Sequence, residues 1–155
     1  MFEKLAQFTA LETSEKLVFV HGWVLLGYIR AAILVGPFKR LTASLQHHRE
    51  SISPVSLTVK EREQANRIGN LVAIAAKYTP WRSLCLTQVL VVQRLLARRG
   101  IPGQIYLGVR KVPPAERLAN ALEAHAWLQC DDLIVSGGAG HQNFAVVSIF
   151  SWGRS

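Results

Sequence analysis

Two residues in this chain have the type and setting for nucleophilic chemistry, Cys85 and His125. Ser83 is a hydroxyl residue that can cap a helix running through Leu86, Val89 and Leu90 to Leu95 and Leu96, which puts Cys85 in the first turn. A thiolate there is stabilised by the helix dipole and by amides that lack an intrahelical partner, and Arg82 adds positive charge. His125 lies in Ala124-His125-Ala126-Trp127, a strand whose small neighbours leave room for the ring. A neutral imidazole in that place takes a proton from a thiol and returns it to a leaving amine. Each residue also has a plain structural alternative. Cys85 would be an apolar filler between Leu84 and Leu86, and His125 a hydrogen-bonded strand histidine. His21, His47, His48 and His141 stand at no metal-ligand spacing from a cysteine or carboxylate, so neither a metal nor a cofactor is expected.

Residues around this pair follow from spacing. Trp81 precedes Cys85 by one helical turn, and Trp127 shares a strand face with His125, so both are candidate cleft walls or oxyanion-side groups. Ordinary packing is the alternative for each. The Cys85 amide at the helix start is a candidate oxyanion donor. Cys130 has the opposite strand parity to His125 and reads as structural.

The elements that must position these groups divide the chain into a helical first part and a strand-rich second part. Thr13-Ser14-Glu15 reads as the start of a helix that runs to Val35 and stops at Gly36-Pro37. A short second helix passes through Phe38, Leu41 and Leu45, and the polar stretch from His47 to Leu57 reads as a linker. Thr58 to Glu61 is a capping box for a helix with Ala65, Ile68, Val72, Ala75 and Ala76 on one face. Thr79-Pro80 closes it, and Gly100 with Pro102 ends the Cys85 helix. Strands follow at 104–110, 124–129, 133–136 and 144–150, with a Pro-bearing loop and a turn of helix near 117–123 between the first two. Helices followed by an antiparallel meander make an α+β chain, divided at residue 57 into an apolar helical segment (1–57) and a second domain (58–155).

Composition narrows the function. The 155 residues are 50% hydrophobic and 18% charged, which excludes intrinsic disorder, and two cysteines exclude a disulfide scaffold. The formal net charge is +8, yet no aromatic residues interleave with the Arg94, Arg98, Arg99 group, so nucleic acid is not an expected partner. The N-terminus lacks the pattern of a secretory signal, because Glu3 sits in the leader position. The run from Leu17 to Val35 approaches bilayer length but contains His21 and Arg30, and an arginine inside a span costs about 2.5–3.5 kcal/mol. A buried or membrane-surface helix is the better reading, with contact to a membrane surface through residues 15–35 left open.

The segment PWRSLCLTQVLVVQRLLARRGIPGQIYLGVRK, followed by EAHAWLQ, resembles the lasso-peptide leader proteases, small members of the transglutaminase-like cysteine-protease superfamily. The likeness is strong from about residue 60 to 150 and looser over the N-terminal helices. It implies a transglutaminase-like or papain-like core with helices on an antiparallel sheet. It implies a bacterial, cytoplasmic cysteine endopeptidase in which Cys85 attacks the leader–core junction and His125 shuttles the proton. The partners implied are the precursor leader peptide, a cyclase that closes the macrolactam, and a recognition protein. The first 57 residues lack the strands of a fused recognition module, so that protein is expected as a separate chain. One departure stands out. The family orients its histidine with an aspartate about twelve residues on, where this chain has Gly137 or Gly138. Asp131 and Asp132 fall at the hairpin tip, too far away, so the third member stays unknown, with Ser136, His141, Gln142, Asn143 or a backbone carbonyl as candidates. Two other readings remain: a degenerate module that binds the precursor without cutting it, and a basic membrane-surface protein.

Overall fold

The computed structural model describes residues 12–112 and 121–154. The first helix, α1, spans Thr13–Val35. Its start differs from the sequence expectation: Glu12 is the cap, in a reciprocal box with Glu15, whose carboxylate accepts from the Glu12 amide at 3.1 Å. The short α2 follows at Phe38–Leu41. Part of the presumed linker is a strand, β1 (Gln46–His48). Its two histidines bond β5 serines, His47 to Ser148 at 2.7 Å and His48 to Ser151 at 2.8 Å. These partners lie about a hundred residues away, which is why local pattern misses them.

Helix α3 (Val59–Lys77) opens on Thr58 as the capping box requires. The Thr58 hydroxyl accepts from the Glu61 amide at 3.3 Å, and the Glu61 carboxylate accepts from the Thr58 amide at 2.8 Å. Such a cap contributes about 1 kcal/mol. Helix α4 (Cys85–Ala97) then leads into the sheet strands β2 (Gly103–Lys111), β3 (Leu122–Cys130), β4 (Leu133–Ser136) and β5 (Ala145–Trp152). A 3-10 turn at His141–Asn143 sits between the last two. The expected helical turn near 117–123 lies mostly outside the described residues, and Leu122 and Glu123 already belong to β3.

The sheet is antiparallel with order β1-β5-β2-β3-β4. Strands β2 to β4 are a meander, as read from sequence. Strand β5 returns to pair with β2 on its other side, which makes the four a Greek key. The fold class is α+β, with helices packed on one sheet face.

Alternation decides which residues face the helices. Ile105, Ala126, Leu128 and Cys130 join Val89, Val92 and Leu96 of α4, Ile68 and Val72 of α3, and Leu26 and Ile29 of α1 in one core. Leu26 and Ile29 are fully buried, so α1 is a core element, each side chain contributing about 1.5–3 kcal/mol of transfer free energy. The core therefore runs across residue 57. Helix α1 is also long and apolar enough to cross a membrane, with mean hydropathy 1.8, although only 17% of that window is buried.

The chain end is tied to α3 by Arg154, which chelates Glu61, one of its contacts at 3.2 Å. The Arg154 hydrogen bond, then the Thr58 amide, lower the Glu61 carboxyl from its ordinary 4.5 to about 2. A depressed carboxyl supports the fold above its unfolded value and loses that support as pH falls. Melting temperature should therefore drop between about pH 4.5 and 2, and Glu61→Gln should flatten that part of the profile. A wild-type profile that is flat over this range would refute the tether.

Candidate active site

Cys85 is the first helical residue of α4, half-buried against the core. The cap is Leu84 rather than Ser83, and no side chain caps the helix. Ser83 is engaged elsewhere: its hydroxyl bonds Thr79 Oγ1 at 3.0 Å and its carbonyl accepts from Gln88 Nε2 at 2.9 Å. The amides of the first α4 turn are thus left without a capping side chain, which keeps the helix end open to an anionic group.

His125 sits in β3 opposite Gly108 of β2. Its Nε2 lies 2.7 Å from the carbonyl oxygen of Gly137. A carbonyl only accepts, so Nε2 carries the hydrogen, and in the neutral ring Nδ1 then keeps its lone pair. The ring is walled by Phe144, with centroids 5.0 Å apart, and by Trp127 at 6.1 Å. Trp127 in turn stacks on Tyr106 at 5.5 Å and meets His141 at 5.5 Å. Arg110 lies over Phe144 at 5.1 Å and pairs with Glu123 at 2.6 Å. Gly108 is small for a reason: a Cβ there would meet Phe144 Cβ at 2.8 Å and the Trp127 ring at 2.9 Å.

Gly137 is one of the two positions, with Gly138, at which the resemblance implies an aspartate. Its φ is +71°, and the chain there turns over β3, so that the backbone offers the carbonyl to His125. Of the four side-chain candidates, His141 turns its Nδ1 to the Gly138 carbonyl at 2.6 Å. Among the described residues, no hydrogen bond joins Ser136, Gln142 or Asn143 to His125. Asp131 and Asp132 bind Arg62 at the hairpin tip, and Asp131 also accepts from the Leu57 amide at 3.2 Å. They are structural acids there. A run of glycines after β4 was the available signal, because glycine exposes its carbonyl and reaches positive φ.

The structure gathers His125, Trp127, Phe144 and Gly137, and sets Trp81 apart. Trp81 packs on α1, with its ring 6.0 Å from Trp23 and 3.2 Å from where a Gly27 Cβ would be. Its indole N–H is buried without a hydrogen-bond partner among the described residues. Trp81 and Trp127 therefore belong to two separate clusters. By strand alternation, His125 and Trp127 turn to the sheet face away from the α4 core. No hydrogen bond links Cys85 to His125 among the described residues. The structure therefore does not bring Cys85 and His125 together: the thiol packs against the helical core on one side of the sheet, and the imidazole lies on the other.

Cys130 is fully buried, and burial pushes its thiol up to about 12. Iodoacetamide at neutral pH should therefore modify the folded chain once, at Cys85, and a second time only in denaturant. Peptide mass spectrometry reads this directly, and equal native labelling of both cysteines would refute it.

A family model described as "Transglutaminase-like superfamily" matches residues 32–149. Neither the curated proteins nor the solved structures gave a match. The match runs from the end of α1 through the Cys85 helix and the His125 strand into β5, and so covers most of the chain. A cysteine opening a helix, a histidine on the antiparallel sheet behind it, and a sequence match across both place this chain in the transglutaminase-like superfamily.

Proposed function

We propose that this protein is a cysteine peptidase that cuts the leader from a ribosomally made lasso-peptide precursor. The observation that carries the reading is a backbone-oriented His125, its Nδ1 free to accept, in a chain whose Cys85 opens α4. This mechanism requires a rearrangement that brings the start of α4 to the His125 face of β3; Cys85 Sγ then attacks the scissile carbonyl carbon while Nδ1 of His125 takes the thiol proton. The first α4 amides stabilise the oxyanion. The imidazolium then protonates the departing amine, leaving the leader as a thioester on Cys85. Water, deprotonated by His125, hydrolyses the thioester and frees the thiol. The products are a leader acid and a core with a new amino terminus, which a separate cyclase joins to a side-chain carboxylate. A separate recognition protein presents the leader.

Membership of the superfamily, the Cys–His order and the specific run from Trp81 to Trp127 support this assignment. A neutral carbonyl in place of a carboxylate orients the ring without stabilising the imidazolium by charge, so turnover should be slower than in a carboxylate triad. The same observation favours a second reading, a precursor-binding module that does not cut. Mass spectrometry of a lasso precursor incubated with this chain and its recognition protein separates the two. Release of leader and core supports the peptidase. Persistent intact precursor with the recognition protein bound supports the binding module.

A further inference from the structure

We infer that α1 is a docking surface for an anionic phospholipid bilayer, on which the protein lies with its sheet turned away from the lipid. The helix has two apolar sides. One, with Leu26 and Ile29, is buried in the core. The other carries Leu17 (67% exposed), Val20 (50%), Val24 (55%) and Tyr28 (60%), and ends in Leu34 and Val35, 73% and 90% exposed. At 100° per residue the first four lie within about 80° of one another on the outward back of the helix. This is a convex apolar ridge, a shape suited to a fluid apolar phase.

Charge selects the occupant. Lys16 to Arg49 contains no Asp or Glu. Arg94 approaches the Tyr28 ring at 5.9 Å and Arg98 bonds His21 at 3.0 Å, which sets cations along one flank of the ridge. Lys39 and Arg40 are exposed just beyond Val35. The nearest acid at the other end, Glu15, is paired with Arg67 at 3.4 Å. An antiparallel two-fold pairing of α1 with a second copy would bring this basic flank against itself. An anionic bilayer meets the ridge with acyl chains and the flank with phosphates. Because the inner side of α1 stays in the core, the helix lies in the interface rather than crossing the membrane.

The inference is independent of the peptidase reading, and its test has no activity readout. The full chain is floated with vesicles of phosphatidylcholine alone and of phosphatidylcholine with phosphatidylglycerol. Wild type should rise with the anionic vesicles only, and less so as salt is raised. Val24→Glu should lower the bound fraction at least about tenfold by placing a charge in the ridge. Lys39→Glu with Arg40→Glu should lower it by about tenfold or more through the flank. Unchanged melting temperature and unchanged native labelling of Cys85 show that the variants are folded. Wild type remaining at the bottom with anionic vesicles, or Val24→Glu floating like wild type, overturns the assignment. A dimer in sedimentation that Val24→Glu dissolves, without flotation, overturns it in favour of a second copy.

Discussion

Cys85→Ala is expected to slow peptide-bond cleavage by about four to six orders of magnitude, because in the proposed mechanism the thiol supplies the covalent step. His125→Ala should cost a similar factor, since in that mechanism Nδ1 takes the thiol proton and returns it to the leaving amine. The double variant should be no slower than either single one, as groups that act as a unit give non-additive losses. Precursor turnover followed by mass spectrometry measures all three. Cys85 is only half-buried, so its truncation should move the melting temperature by no more than a few degrees. Cleavage by Cys85→Ala at the wild-type rate would end the nucleophile assignment. A loss that follows the melting temperature would reduce Cys85 to a packing residue.

Gly137→Asp, the substitution that supplies the carboxylate implied by the resemblance to lasso-peptide leader proteases, is expected to destabilise the protein instead of accelerating it. A Cβ at Gly137 would lie 2.3 Å from the Ala126 carbonyl oxygen and 3.0 Å from Trp127 Cα. Both are backbone atoms in the middle of the sheet and have no rotamer to move to. The left-handed φ of +71° adds about 1–2 kcal/mol for any residue with a side chain. With the overpacking, the total should reach at least about 3 kcal/mol, or roughly 6–12 °C in melting temperature for a chain of this size. Gly140→Ala is the control. Its φ is +72°, but the nearest atom to its Cβ is Asn143 Nδ2 at 3.8 Å, so it should show the dihedral cost alone. A Gly137→Asp protein that melts like wild type and cleaves faster would show that the loop repacks. The carbonyl would then be a substitute the chain can do without.

The two variants test different kinds of information. Cys85 could be placed at a helix start from sequence because apolar spacing and the Gly100–Pro102 stop bracket α4 on their own. The cap differs from the sequence expectation, since Ser83 has a competing partner in Thr79, and a hydroxyl near a helix start signals a cap only when it is not otherwise engaged. The Thr58–Glu61 box was legible because both partners lie within one turn. Strand parity was legible too. It put His125 and Trp127 on one face and Cys130 on the other, as the Tyr106–Trp127 stack and the burial of Cys130 bear out.

What sequence determined by itself was everything held by neighbours within a few residues: the helix around Cys85, the strand around His125, and the turn at Asp131 that sends β4 back along β3. Tertiary structure alone decided what crosses the chain. It placed β5 beside β2, turned His47 and His48 into an edge strand, seated Trp81 on α1, and brought the Gly137 carbonyl to His125. The physical reason is that local periodicity reports which side of an element is apolar, whereas partner choice depends on loop closure and steric fit between distant segments. A carbonyl, moreover, belongs to every residue, so only the backbone path can show which one becomes the partner of a histidine.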